Sequence, residues 1–163
     1  LTDKKIAISS GAVDRASIIS EAACKVGSQS VVGVIDIKRT GLFKKPEVVV
    51  LNATVKTGVD PVSLVQQFQE LGVGEIVLNF VDCDGKMAGY DYNLIDSLRT
   101  SITTPLTVLG GAGTIEHIKE LISRYGIIGA AAGSLFVFKG KYRAVLINYP
   151  NREEKSKLFQ NYN

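Results

Sequence analysis

The chain has 163 residues, 45% hydrophobic and 21% charged, the composition of an ordinary globular protein rather than of a disordered or fibrous segment. Its formal net charge of +3 is mild. The basic residues are scattered apart from short clusters at Lys44-Lys45 and Lys139 to Arg143, so no nucleic-acid stripe is expected. No apolar run reaches the roughly 18 residues of a membrane span, so no membrane association is expected. The chain does not begin with Met and carries no visible signal peptide, which leaves room for an upstream segment. Cys24 and Cys83 do not make a disulfide framework, and neither has a CxxC partner. The cytoplasm is the expected compartment.

Apolar runs alternate with helical patterns from end to end. Lys5 to Ser9 reads as a short strand and Ala12 to Val26 as a helix, with Ile18, Ile19, Ala22 and Ala23 on one side. Ser30 to Asp36 is an apolar strand with a polar end, and Val48 to Leu51 is another β-rich run after Gly41. Asp60 starts a helix with Val62, Leu64, Val65 and Phe68 at helical spacing, ended by Gly72 and Gly74. Glu75 to Val81 is strand, Asp91 to Thr100 helix and Pro105 to Leu109 strand. Thr114 begins a helix with Glu116 and Glu120 near its start, favourable for the dipole, and Gly126 ends it. Ile127 to Ala132 is strand, Gly133-Ser134 a turn, and a last helix falls near Arg152 to Phe159.

Strands alternating with helices, and apolar enough to be buried on both faces, predict a parallel α/β sheet in a single domain over residues 1–163. Alternation alone leaves an open doubly wound sheet and a barrel both available. An internal echo favours the barrel. Ile6-Ala-Ile-Ser-Ser-Gly-Ala-Val13 resembles Ala130-Ala-Ala-Gly-Ser-Leu-Phe-Val137, each a strand ending in small residues before a helix start. The interval between them is about half the roughly 250 residues of a full barrel.

Two glycine turns stand out. Gly110-Gly111 follows one strand and Gly133-Ser134 follows the next, which puts both at the same end of a parallel sheet. Glycines let backbone N–H groups approach an anion closely, and helix starts add positive potential, so the pair points to a phosphate site. Tight-turn geometry is the alternative reading. Asp36 ends an apolar strand, where a carboxylate can act as general acid or base, with Lys38 on the same face. A structural Asp–Lys pair or a helix-type cap is the competing reading. Asp82-Cys-Asp-Gly-Lys-Met-Ala-Gly-Tyr-Asp91 also follows a strand. Its spacing excludes an EF-hand, since position 12 from Asp82 is Asn93. No metal site is expected: His117, the one histidine, falls on a predicted helix and reads as a surface residue. Cys83 lacks a basic partner and reads as an inert thiol.

Val34-Ile-Asp-Ile-Lys-Arg39, Gly74-Glu-Ile-Val-Leu78, the Asp82 to Asp91 motif, Gly110-Gly-Ala-Gly113 and Ala132-Gly-Ser-Leu-Phe136 occur in order with the right gaps. Together they resemble the cyclase subunit of imidazole glycerol phosphate synthase over essentially the whole chain, from about the fourth strand of that family's (β/α)8 barrel to the C-terminus. The resemblance implies an enzyme of histidine biosynthesis. It takes ammonia from a glutaminase partner and acts on a phosphorylated substrate, a ribulose-linked aminoimidazole carboxamide carrying two phosphates. The products would be imidazole glycerol phosphate and the aminoimidazole carboxamide ribotide, with no cofactor.

On this resemblance Asp36 matches one of two catalytic aspartates. Asp84 and Gly85 match residues lining the substrate site. Gly111, Gly133 and Ser134 match one phosphate cradle with Gly110 beside it, and Ser9 and Ser10 match the other. Lys5 and Glu75 match charged residues at the opposite mouth, where the family admits ammonia. The sequence departs from the family pattern at Ser9 (usually Asn), Leu109 (usually Ser), Asn79-Phe80 (usually smaller hydroxyl residues) and Lys4 (usually acidic). The family's other catalytic aspartate belongs to a first strand upstream of this span, so the span alone should be inactive. Five family strands against the eight of a barrel predict either roughly 80 to 90 further N-terminal residues or self-association. The tail from Gly133 to Pro150 also resembles paralogues that serve amidino-sugar formation for surface polysaccharide. A non-catalytic barrel piece that binds an anion or a partner is the third reading.

Overall fold

A computed structural model describes residues 4–140 and 142–159. Strand β1 (Ile6–Ile8) leads to helices α1 (Ser10–Asp14) and α2 (Ser17–Val26). Strand β2 (Val31–Thr40) continues into β3 (Lys45–Val50) and β4 (Val55–Lys56), followed by α3 (Pro61–Glu70). Three further units follow: β5 (Glu75–Phe80) with α4 (Tyr92–Arg99), β6 (Leu106–Leu109) with α5 (Ile115–Tyr125), and β7 (Gly129–Ala131) with α6 (Ser134–Val137). The C-terminal segment holds β8 (Phe138–Lys139), β9 (Ala144–Val145) and α7 (Arg152–Phe159).

The parallel strands pair in the order β1, β2, β5, β6, β7, which is the order of the chain. A doubly wound sheet reverses its strand order at a switch point. No reversal occurs here, so the sheet is an open arc of a (β/α)8 barrel. Burial alternates along the strands. Ile35, Ile37, Ile76, Leu78, Phe80 and Val108 are almost wholly buried and join one core with Leu64, Phe68, Ile95, Leu98 and Leu121 of the helices. Burying each such side chain contributes about 1.5–3 kcal/mol. The intervening residues Val34, Asp36, Val77, Asn79, Thr107 and Leu109 are only partly buried and line the other face. Helices thus cover one face of the sheet rather than both, and the second face carries Asp36, Asn79 and Thr107 among apolar Val34, Val77 and Leu109.

Caps and close approaches explain the local structure. Asp60 accepts from the Ser63 N–H at 3.0 Å with Pro61 in the first turn of α3, so that helix starts where its sequence predicts. An added Cβ at Gly33 would lie 2.5 Å from the Phe68 ring, so glycine lets α3 lie flat on β2. Two expectations change. The helix expected from Ala12 to Val26 is two helices that break at Arg15, while its buried residues Ala12 and Ile19 still face one core. Val48 to Val50 belong to β3, with Leu51 in the turn after it, and β3 pairs antiparallel with the far half of β2 (Ile37 opposite Val48, Thr40 opposite Lys45). A turn at Gly41, with φ +69°, closes this hairpin, so β3 is no part of the parallel set.

Candidate functional site

The ladder aligns the strand ends. Asp36 lies opposite Asn79, Asn79 opposite Leu109, and Leu109 opposite Ala131. The loops that follow therefore meet at one rim. Asp36, on the polar face, accepts a hydrogen bond from Asn79 Nδ2 at 2.8 Å on Oδ1 and a long one from Ser9 Oγ at 3.5 Å on Oδ2. Among the described residues it forms no ion pair with Lys38, so the Asp–Lys alternative does not describe this carboxylate. Neutral donors hold it in place and leave it half-exposed to a ligand. Of the two departures Asn79 and Phe80, only Asn79 faces the site, because Phe80 is in the core. The Ser10 backbone starts α1, while its side chain is outside the described atoms.

Glycines let three loops interlock at this rim. Gly111 has φ +117°, and a Cβ there would lie 2.2 Å from the Gly89 carbonyl oxygen. The Gly89 N–H donates to the Gly111 carbonyl at 2.9 Å. A Cβ on Gly113 would lie 2.1 Å from the Met87 carbonyl, and one on Gly110 would lie 2.5 Å from that of Phe80. The amides of Gly111 and Ala112 make no hydrogen bond within the described residues. Gly133 is different: its φ is −98° and nothing lies within 4 Å of an added Cβ, so the backbone there does not require glycine. The Gly85 position comes within 3.9 Å of Ser134 Oγ, which brings Asp84 and Gly85 to the second turn. Asp84 is exposed, and its carboxylate has no partner among the described residues. The start of α5 is already occupied. Thr114 caps it, and the Glu116 carboxyl is held below its usual range, first by its own backbone N–H and then by the Thr114 hydroxyl.

Arg39 is a residue that the sequence reading did not single out. Its backbone N–H donates to Asp82 Oδ2 at 2.7 Å, and its Nε and Nη2 donate to Asp91 Oδ2 at 3.1 and 2.7 Å. The other Asp91 oxygen accepts the Leu94 N–H at 3.0 Å as the cap of α4. The Asp82 to Asp91 motif thus divides its work. Asp82 and Asp91 anchor the loop, Gly89 permits the close approach, and Tyr90 packs in the core, where burial pushes its hydroxyl up to about 12. Asp84 and Gly85 are left facing the rim. The N-cap position of Asp91 was a readable signal of its anchoring role. Burial, aided by the negative charge of Asp91, pushes the Cys83 thiol up, against a nucleophilic role.

Lys5 and Glu75 meet at the opposite end of the strands as an ion pair. Thr107 Oγ1 adds a hydrogen bond to Glu75 Oε1 at 2.7 Å. Burial works to raise the Glu75 pKa, but the hydrogen bonds from Lys5 and Thr107 and the Lys5 charge outweigh it, so the carboxyl lies below its usual range. His117 is not a plain surface residue: its Nδ1 accepts the Gly113 N–H at 3.1 Å. No cluster of three or more His, Cys, Asp or Glu suited to a metal occurs among the described residues.

The family model described as "Histidine biosynthesis protein" matches residues 2–143. The chain is 50% identical over 156 residues to a "Putative imidazole glycerol phosphate synthase subunit HisF" of Leptospira interrogans, covering 96% of this chain and 61% of that protein. It is 46% identical over 157 residues to a "Putative imidazole glycerol phosphate synthase subunit hisF3" of Vibrio vulnificus (strain YJ016), covering 96% and 60%. With an "Imidazole glycerol phosphate synthase subunit HisF" of Lachnoclostridium phytofermentans it shares 38% identity over 135 residues, covering 83% and 52%. The chain therefore spans about three fifths of the length of the first two relatives. A match over most of its length, together with an arc of parallel β/α units carrying Asp36 at its rim, shows that the chain belongs to the histidine biosynthesis protein family.

Proposed function

We propose that the protein is the cyclase subunit of imidazole glycerol phosphate synthase. In this reading it receives ammonia from a glutaminase partner and converts a two-phosphate aminoimidazole carboxamide substrate into imidazole glycerol phosphate. The observation that carries the proposal is the arrangement around Asp36. A partly buried carboxylate, fixed by Asn79 and approached by Ser9, stands on the face that the helices do not cover, at the same rim as a loop whose amides at Gly111 and Ala112 make no hydrogen bond among the described residues. The amides suit a phosphate oxygen, with Gly133 and Ser134 completing the cradle and Ser9-Ser10 forming the second one. Asp36 then moves protons at the reacting carbon and nitrogen centres, while Asp84 accepts hydrogen bonds from substrate hydroxyl or amine groups. The Lys5–Glu75 pair at the other end of the strands guards the route by which ammonia enters.

Addition of ammonia, ring closure and bond cleavage transfer protons without net oxidation, so acid–base groups suffice and no redox cofactor is needed. The full activity is that of a polypeptide of the relatives' length; the span described above is inactive by itself. No helix among the described residues is long and apolar enough to cross a membrane, and the proposed compartment is the cytoplasm.

Asp36→Asn in the full-length protein tests the proposal. Turnover driven by ammonium salt, followed by product formation, should fall by about 100- to 10,000-fold with the fold intact. A variant that keeps over half the activity would assign Asp36 to structure and remove the proposed chemistry.

A further inference from the structure

We propose that His117 is a positioning residue of this site, locking the Gly110–Gly113 loop against the Asp82–Asp91 loop in the geometry that binds an anion. The proposal rests on the reading of the glycine loop as a phosphate site. His117 lies in the first turn of α5, and its own N–H is taken by the Thr114 cap. Its Nδ1 accepts the Gly113 N–H at 3.1 Å, so that nitrogen offers a lone pair and carries no proton. In a neutral imidazole the proton then sits on Nε2. The far edge of the ring faces the neighbouring loop: a Cβ built on Gly89 would lie at ordinary van der Waals distance from it, 3.8 Å from Nε2 and 3.9 Å from Cε1.

Gly89 in turn donates to the Gly111 carbonyl at 2.9 Å. His117 thus holds the first loop at Gly113, and the Gly89–Gly111 hydrogen bond ties that loop to the second. Two consequences follow for the anion. The Gly113 amide is committed to His117 and leaves the ligand set. The amides of Gly111 and Ala112 make no hydrogen bond among the described residues and belong to a loop restrained by these contacts before the ligand arrives. A structural aspect of α5 alone would need no acceptor at Nδ1; the role proposed here does.

Two variants of the full chain separate these roles. His117→Asn keeps an acceptor oxygen on the same carbon that carries Nδ1. His117→Leu fills the space without an acceptor. Amide hydrogen exchange at Gly113 and Gly89, read by NMR, reports the loop lock without any ligand. Sulfate titration at constant pH, followed by the Gly111 and Ala112 amide shifts, reports its effect on binding. Exchange in His117→Leu should speed up about tenfold and sulfate affinity should fall about tenfold, the effect of one lost hydrogen bond to a partly buried amide. His117→Asn should stay within about twofold of the parent in both, since its acceptor is retained. Leu rates and affinity equal to the parent's, or an Asn variant as impaired as Leu, would overturn the assignment. A parent protein that binds no sulfate while the Asn–Leu contrast persists in exchange would sink the anion reading and leave the positioning role standing.

Discussion

Asp91→Ala removes one carboxylate that does two jobs. Oδ1 caps α4 through the Leu94 N–H, and Oδ2 takes both Arg39 donors. Loss of an N-cap of this kind costs about 1 kcal/mol. The charge-assisted contact with Arg39 would be worth about 1.5–3 kcal/mol if shielded from water. Arg39 and Asp91 are 35% and 23% exposed, so solvent screening reduces that contact to about 1 kcal/mol. The expected total is about 2 kcal/mol, or a fall in Tm of about 4–8 °C for a domain of this size. Asp91→Ser separates the jobs: its hydroxyl can still cap the helix, so only the Arg39 share, about 1 kcal/mol, should be lost. Arg39→Ala should lose the same share, and the double variant Asp91→Ala/Arg39→Ala should be no worse than Asp91→Ala alone, a coupling of about 1 kcal/mol. Urea unfolding of the full chain, followed by circular dichroism, measures all four. Additive losses from the two single changes, or equal losses in Asp91→Ala and Asp91→Ser, would refute the division of labour.

Gly111→Ala should cost more than about 2 kcal/mol, because φ +117° and a 2.2 Å overlap with the Gly89 carbonyl add strain to overpacking, whereas Gly133→Ala should change stability by less than about 0.5 kcal/mol; thermal melts of the two variants compare them directly. Glu75 has a depressed folded pKa, so its contribution is present above the ordinary carboxylate value of 4.5 and is lost as pH falls through the lowered value. Glu75→Gln should therefore flatten the acid limb of the stability profile, and an unchanged limb would show that the Lys5–Glu75 pair does not couple to folding. β1 and β7 each have one edge that pairs with no parallel strand among the described residues. The 163-residue span produced by itself should accordingly self-associate, and a cooperatively folded monomer by light scattering would contradict this.

Much of this fold is written locally. The caps Asp60, Asp91 and Thr114 lie within one turn of the amides they serve, so a window of a few residues reveals them. The apolar run of β5 likewise marks a strand within a few residues, and Asp36 announces itself as a charge at the end of an apolar run. Alternation alone left the open sheet and the barrel undecided, because strand order is a matter of which strands meet; the internal echo and the family resemblance pointed to the barrel, and the unreversed strand order agrees. The break in the first helical segment and the antiparallel return of β3 also depended on packing, since short apolar runs look alike whatever their direction.

The site divides in the same way. Glycine turns and strand-end aspartates were legible by type and spacing. The partners of Asp36 lie 27 and 43 residues away, Arg39 reaches Asp91 across 52, and Lys5 meets Glu75 across 70. His117 looked like a surface residue because its helix is amphipathic, yet its ring acts on a loop four residues earlier. A sequence specifies what a residue can donate, accept or fill. Which partner answers it depends on chain segments brought together by burial of the helix-covered face, and that is a property of the folded sheet alone.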